Sequence, residues 1–274
     1  MSKTDTVSLE QYMAQQEKTA RELFKEKGAK FLAMGKTKAV GLLPDGNVVM
    51  KFLDSFTGTA GVKDGGGNEV AGHMQGLGYM NLMTTWKIFK MMEEIGIPTQ
   101  NISIDEANNL LIAKHVVLLG KGMPFEKDGE EHTSGGIEVI GRNIAMGSYL
   151  KRNPDVANGA ILTQLDGMCM VETSVKNDAA GDPIFDSQYF IDSLYVLQED
   201  LEEAINMTKQ GVLLLTERFA KQGLTFADTK FEFGHDRENN VILVDEISTG
   251  TSRVLHADGK KATEQEVYEA VMRM

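Results

Sequence analysis

The chain has 274 residues, a net charge of −12 and one cysteine. That length can bury a sizeable core in one large domain or two lobes, and the lone Cys169 excludes an intramolecular disulfide framework and points to a reducing, cytoplasmic compartment. The acidic balance argues against nucleic acid or an anionic membrane as partner, and no run of about 18 apolar residues marks a membrane span.

In chain order, residues 8–27 read as a leading amphipathic helix, without the apolar core of a signal peptide, so no export is expected. Short β-rich runs follow at 30–34, 39–43 and 47–53, with Pro44-Asp45-Gly46 as a turn, which predicts an antiparallel meander. Residues 58–78 carry eight glycines, too many for a regular element, and are expected to form a mobile loop. A helix is predicted over 81–94, stopped by Gly96 and Pro98.

Strands are predicted at 109–119 and 137–143, separated by a polar surface insertion over 120–136. Leu201, Ile205, Val212, Leu215 and Phe219 mark the apolar face of a long helix over 199–222. Two strands at 230–233 and 241–246 flank the turn Asp236 to Asn240, and a short helix starts at Glu264. This order predicts an α+β chain: an N-terminal helical extension (1–29), a small N-terminal antiparallel β-lobe (30–119) and a larger mixed lobe (120–274), with a binding cleft between the lobes.

Four segments can carry chemistry. Gly35-Lys36-Thr37-Lys38 offers a flexible backbone and two ammonium groups to a triphosphate, or is a solvated basic turn; neither its spacing nor its context is that of a Walker A loop. In the predicted strand from Asp228 to Gly234, Asp228, Lys230 and Glu232 share one face while Phe231 and Phe233 share the other. A hairpin through Asp236 to Asn240 would bring Asp245 to that charged face, and two carboxylates beside a lysine suit an oxygen-ligated Mg²⁺; the alternative is a solvated hairpin face.

The run Glu138 to Arg142, followed by Gly147-Ser148 and Lys151-Arg152, can present a guanidinium, a hydroxyl and backbone N–H groups to a phosphate, although Lys151 and Arg152 equally suit a solvated surface. The polar loop Lys176 to Pro183 adds a lysine with Asp178 and Asp182, or is a capping turn. The five histidines show no metal-ligand spacing, Cys169 reads as a buried inert thiol, and Trp86 and the sixteen methionines read as core fillers.

Taken together, GKTKAV (35–40), EVIGRNIAMGSYLKR (138–152), KNDAAGDP (176–183), DTKFEFG (228–234) and DEIS (245–248), with GIPT (96–99), resemble the SAICAR synthetase family in order and rough spacing over 31–253. The resemblance implies a two-lobed fold related to ATP-grasp enzymes and protein kinases. It also implies a ligase that uses ATP and Mg²⁺ to activate an aminoimidazole ribotide carboxylate for attack by L-aspartate in purine biosynthesis.

Carried over by position, Gly35, Lys36, Lys38 and Lys176 would contact ATP, and Glu232 and Asp245 would bind Mg²⁺. Glu138, Asp228 and Lys230 would surround the imidazole and its carboxylate, and Arg142, Ser148, Arg253 and Asp182 would contact substrate. The implied partners are small molecules, and a homo-oligomer is left open.

The chain departs from the family pattern at Ser55, where a second acid is usual; at Leu77, where the family has a lysine, with Asn81 alone kept of a paired asparagine; at Gly250, in place of an acid; and in a short segment after Arg253. These departures concern substrate contacts more than ATP contacts. A related ligase for another acid or amine, or a small-molecule kinase, therefore stays open on the residues.

Overall fold

A computed structural model describes residues 8–59, 61–63, 69–164 and 167–274. The chain divides into two compact units, Met1–Leu82 with Asn101–Lys114, and Met83–Gln100 with His115–Met274. No helix among the described residues is long and apolar enough to cross a membrane.

The first unit opens with α1 (Leu9–Glu26), started by a capping box in which Ser8 and Gln11 satisfy each other's backbone N–H groups. The strands β1 (Lys30–Met34), β2 (Lys38–Leu42) and β3 (Val48–Phe52) follow as the predicted meander. Next come β4 (Ser55–Thr59), β5 (Val62–Lys63), β6 (Glu69–His73) and the first residues of α2 (Leu77–Glu94), whose remainder from Met83 belongs to the second unit, and then β7 (Asn101–Asp105) and β8 (Leu110–Ala113). One sheet has the order β1-β2-β3-β8-β7, and a second, three-stranded sheet has the order β5-β4-β6. Ala20 and Phe24 of α1 join Ala39, Val49 and Leu110 in the core under the larger sheet.

The glycine-rich stretch corrects an expectation. In place of a loop over 58–78, β4 pairs with β6 in register Ser55↔His73, Phe56↔Gly72 and Thr57↔Val70. Glycine serves the pairing, because a Cβ on Gly72 would lie 2.6 Å from Phe56 Cζ; the missing side chain is what lets the ring cover the partner strand. Residues 60 and 64–68 of that stretch lie outside the described residues.

Helix α2 begins four residues earlier than predicted. The Asp54 carboxylate accepts the Gly76 and Gly78 N–H groups at 3.1 and 2.8 Å, a cap supplied from before the intervening strands rather than from the residue preceding the helix.

The second unit contains β9 (Val117–Leu118), β10 (Pro124–Lys127), β11 (Glu130–Thr133), β12 (Ile137–Arg142), α3 (Ser148–Arg152), β13 (Met170–Val175), β14 (Ile184–Phe185) and α4 (Ser187–Asp192). It continues with α5 (Gln198–Ala220), β15 (Thr225–His235), β16 (Val241–Val244), β17 (Ser252–Leu255) and α6 (Glu264–Arg273). The single strand expected over 109–119 is two, β8 and β9, because its halves serve different sheets. The insertion at 120–136 folds as the β10–β11 hairpin, turning through Asp128 and Gly129, both at positive φ as a two-residue hairpin turn requires.

The main sheet of this unit runs β14-β13-β12-β15-β16, with β9 and β17 also pairing β15, all antiparallel. Its apolar face carries Val139, Val175, Phe231 and Phe233, buried against Leu201, Val212, Leu215 and Phe219 of α5. Each such side chain contributes about 1.5–3 kcal/mol when fully buried. The close approach depends on Gly141, where a Cβ would lie 2.6 Å from Val212 Cγ2. With one face committed to α5, the period-2 alternation turns the even-numbered residues of β12, and those of β15 from Asp228 to Glu232, to the other side; before that stretch an irregularity between Phe226 and Asp228 keeps Phe226 stacked on Phe219 of α5.

Candidate active site

That other face collects the charges. Across β12 and β15, Glu138 stands opposite Glu232, Ile140 opposite Lys230, and Arg142 opposite Asp228. On the other flank of β12, Glu138 faces Ser174 of β13. Facing residues of an antiparallel pair project to the same side, so the expected partition of Asp228, Lys230 and Glu232 from Phe231 and Phe233 is what the register produces. The face is not solvated: Glu138, Asp228 and Glu232 are 5 %, 2 % and 4 % exposed.

One half of the face is an ion cluster. Lys230 Nζ donates to Glu138 Oε1 at 2.6 Å and to Glu232 Oε1 at 3.0 Å. Lys176 Nζ donates to both Glu232 oxygens at 2.7 and 2.8 Å. Ser174 Oγ donates to Glu138 Oε2 at 2.9 Å.

Burial acts first on each group and favours its neutral form; the neighbours decide the outcome. For Lys230, Glu232, Glu138 and Asp245 outweigh burial and hold the ammonium well above its usual range. Glu232 and Asp245 likewise raise Lys176. Lys176 and Lys230 bring Glu232 below the usual carboxylate value. Glu138 goes the other way, because burial, with Glu232 and Asp182 adding to it, exceeds what Lys230 returns.

Asp245 follows β16 with φ of 65°, and its carbonyl accepts from Gln100 Nε2 at 2.9 Å. Its charge acts on Lys176, Lys230 and Glu232 alike, so the second strand does bring Asp245 toward the charged face. In the following loop Ser248 Oγ donates to the buried Glu246 carboxylate at 2.5 Å and accepts the Gly250 N–H at 3.0 Å. A Cβ at Gly250 would lie 3.7 Å from Glu246 Oε2.

No group of three or more His, Cys, Asp or Glu among the described residues is arranged to hold a metal by itself. Glu232 and Asp245 offer hard oxygen ligands of the kind Mg²⁺ takes one or two at a time, with phosphates and water completing the shell. The donor chemistry therefore fits that ion when it arrives with a nucleotide.

The other half of the face is built from arginine. Arg142, 2 % exposed, donates to Asp228 Oδ2 and Glu172 Oε2, each at 2.7 Å, and to Ser148 Oγ at 3.4 Å. Arg253 Nη1 donates to the same Asp228 Oδ2 at 2.8 Å, and its guanidinium lies against the Gly147 backbone. Arg152 pairs with Glu172 at 2.7 Å. Asp228 thus orients two guanidinium groups beside the Gly147-Ser148 reversal, while Lys151 remains an exposed residue. Asp182 accepts the Asn177 N–H at 2.7 Å and so closes the Lys176–Pro183 loop.

In the first unit, Gly35 donates its N–H to the Lys38 carbonyl at 2.7 Å and closes the β1–β2 turn. Lys38 Nζ lies 5.4 Å from the Phe52 ring centroid. Two of the departures have structural roles. The fully buried Ser55 donates to the Lys36 carbonyl at 2.6 Å, and Leu77 is fully buried at the start of α2.

Sequence reasoning missed Glu172 and Ser174, which complete both halves of the charged face. Their signal is the alternation Met170-Val171-Glu172-Thr173-Ser174-Val175, the same spacing that sets Asp228, Lys230 and Glu232 on one face.

The SAICAR synthetase family model matches residues 31–270. A phosphoribosylaminoimidazole-succinocarboxamide synthase from Thermococcus sibiricus is 32% identical over 234 residues, which is 85% of this chain and 88% of that protein. The protein of the same name from Clostridium tetani is 33% identical over 229 residues, 82% of this chain and 92% of its own length. A solved structure of a SAICAR synthetase (Type-2) in complex with ADP aligns with a TM-score of 0.70 at 25% identity, covering 88% of this chain and 97% of that one. The chain belongs to the SAICAR synthetase family.

Proposed function

We propose that this chain is an ATP-dependent carbon–nitrogen ligase of the cytoplasm that joins L-aspartate to 5-amino-1-(5-phosphoribosyl)imidazole-4-carboxylate, giving SAICAR, ADP and phosphate. The reading is supported above all by one observation: a single buried sheet face holds an acid–lysine cluster at one end and two guanidinium groups oriented by Asp228 at the other. A substrate with a carboxylate to activate at one end and a phosphate at the other matches that distribution of charge.

In this reaction the γ-phosphoryl group of ATP passes to the imidazole carboxylate, and ADP leaves. The aspartate amine then attacks the acyl phosphate, forms the amide and releases phosphate. The raised pKa of Lys230 keeps its ammonium charged, which suits a fixed cation for acyl-phosphate oxygens rather than a base. Glu138 and Glu232 set the position of that ammonium. We assign Arg142, Arg253 and Ser148 to the ribotide phosphate, with Asp228 orienting the arginines, and Asp182, whose charge acts on Glu138, to substrate contact as well.

Glu232 and Asp245 are assigned to Mg²⁺, which when bound neutralises triphosphate charge; Gly35, Lys36, Lys38 and Lys176 are assigned to the nucleotide. No enzyme nucleophile is required; the protein's task is to position the reactants and exclude water.

Purified chain incubated with ATP, Mg²⁺, the ribotide and L-aspartate should release one ADP for each succinyl amide formed, read by mass spectrometry. ADP release with a phosphorylated small molecule and no amide would identify a kinase instead.

A further inference from the structure

Helix α1 lies ahead of the family match, which starts at residue 31, yet it is anchored at both ends to the first unit. Near its C-terminus the fully buried Phe24 ring lies so close to β2 that a Cβ on Gly41 would sit 2.8 Å from Phe24 Cδ2. The Arg21 guanidinium covers the Phe31 ring of β1 at 3.7 Å. Near its N-terminus Tyr12 stacks on His73 of β6, with centroids 4.1 Å apart and planes 8° from parallel. The Tyr12 hydroxyl is buried beside Asp54; burial, then the Asp54 charge, pushes its pKa up to about 12, so it stays neutral.

The contact leads directly to the lysine turn. His73 is the cross-strand partner of Ser55, and Ser55 Oγ holds the Lys36 carbonyl. The Leu53 N–H holds the Thr37 carbonyl at 2.9 Å from the adjoining residue pair. The turn is therefore held from Leu53, just after β3, and from Ser55, the first residue of β4, and Ser55 is paired with His73, on which Tyr12 stacks.

We propose that α1 is a brace for the phosphate-contacting turn, in which Tyr12, acting through His73 and Ser55, fixes the direction in which Lys36 and Lys38 project. Tyr12 is a positioning residue and does not itself meet the nucleotide. The inference rests on the assignment of the 35–38 turn to ATP. It adds to that assignment a segment outside the family match, and it gives Ser55, a departure from the family pattern, a defined task.

The test uses the full chain with Tyr12→Phe, Tyr12→Leu and His73→Leu, measuring ADP affinity by calorimetry, KM for ATP and for aspartate, and the melting temperature. An aromatic stack accounts for a shift of about two- to tenfold, so Tyr12→Leu and His73→Leu should each weaken ADP binding and raise KM for ATP by that factor. KM for aspartate should hold in both, and Tyr12→Phe, which keeps the ring, should match the wild type. Wild-type ADP affinity in both leucine variants would overturn the brace alone, as would a fall in melting temperature with the KM of every substrate rising together. A wild-type chain that binds no ADP would overturn the nucleotide assignment and the brace with it.

Discussion

Glu138 and Glu232 stand directly opposite each other on neighbouring strands, both buried, with the Lys230 ammonium bonded to one oxygen of each at 2.6 and 3.0 Å. Like charges in that relation repel, so the pair persists only because Lys230 and Lys176 neutralise it. Lys230→Met should therefore cost about 3–5 kcal/mol, the usual consequence of removing one partner from a buried ion pair, and should abolish ligation. Adding Glu138→Gln should return part of the stability and none of the activity; denaturant titration and the coupled ADP assay check both.

The two carboxylates should also leave opposite marks on stability against pH. Glu232 has a folded pKa below the usual 4.5, so its contribution is present above that value and is lost as pH falls through the folded pKa. Glu138 has a folded pKa above 4.5, so the folded state keeps a proton the unfolded chain releases, and stability falls as pH rises from 4.5 through the folded value. Melting temperatures across this range should show Glu232→Gln flattening the acid limb and Glu138→Gln removing the decline above it.

Arg253 shares Asp228 Oδ2 with Arg142 but is less buried, its side chain 12% exposed against 2%, which makes it the safer probe of the phosphate assignment. Arg253→Met should raise KM for the ribotide by about 10- to 100-fold, the loss of a charge-assisted hydrogen bond, and leave KM for ATP in place. Steady-state kinetics with each substrate varied in turn gives the answer.

The close contact of α5 with β12 supports the whole charged face from behind. Gly141→Ala would place a methyl 2.6 Å from Val212 Cγ2 and should destabilise the fold by about 1–3 kcal/mol, as overpacking does. Val212→Ala in the same chain should recover much of that loss, measured by urea unfolding.

The residues reveal what is local. The alternation from Asp228 to Phe233 and the turn from Asp236 to Asn240 define the β15–β16 hairpin and its charged side, and the spacing of Leu201, Val212, Leu215 and Phe219 defines α5. What they hide is partnership over distance: nothing in β12 announces that it lies between β13 and β15, so the roles of Glu172 and Ser174, which touch the predicted site residues Arg142 and Glu138, are not legible in the sequence. The glycines of 58–78 misled because composition reports backbone freedom and not what covers the backbone, here the Phe56 ring. The start of α2 was lost for a related reason, since its capping carboxylate, Asp54, is 22 residues from Gly76. By contrast Asp128-Gly129 was a legible hairpin signal within a segment read only as polar.

The central claim is that Glu232 and Asp245 present a metal to the nucleotide on the charged face. A crystal of the chain soaked with Mn²⁺ and ADP, with data collected at the manganese edge, tests it most directly. An anomalous peak in contact with both carboxylates and with nucleotide phosphate oxygens is the predicted result; manganese bound to the nucleotide away from both side chains would contradict the account.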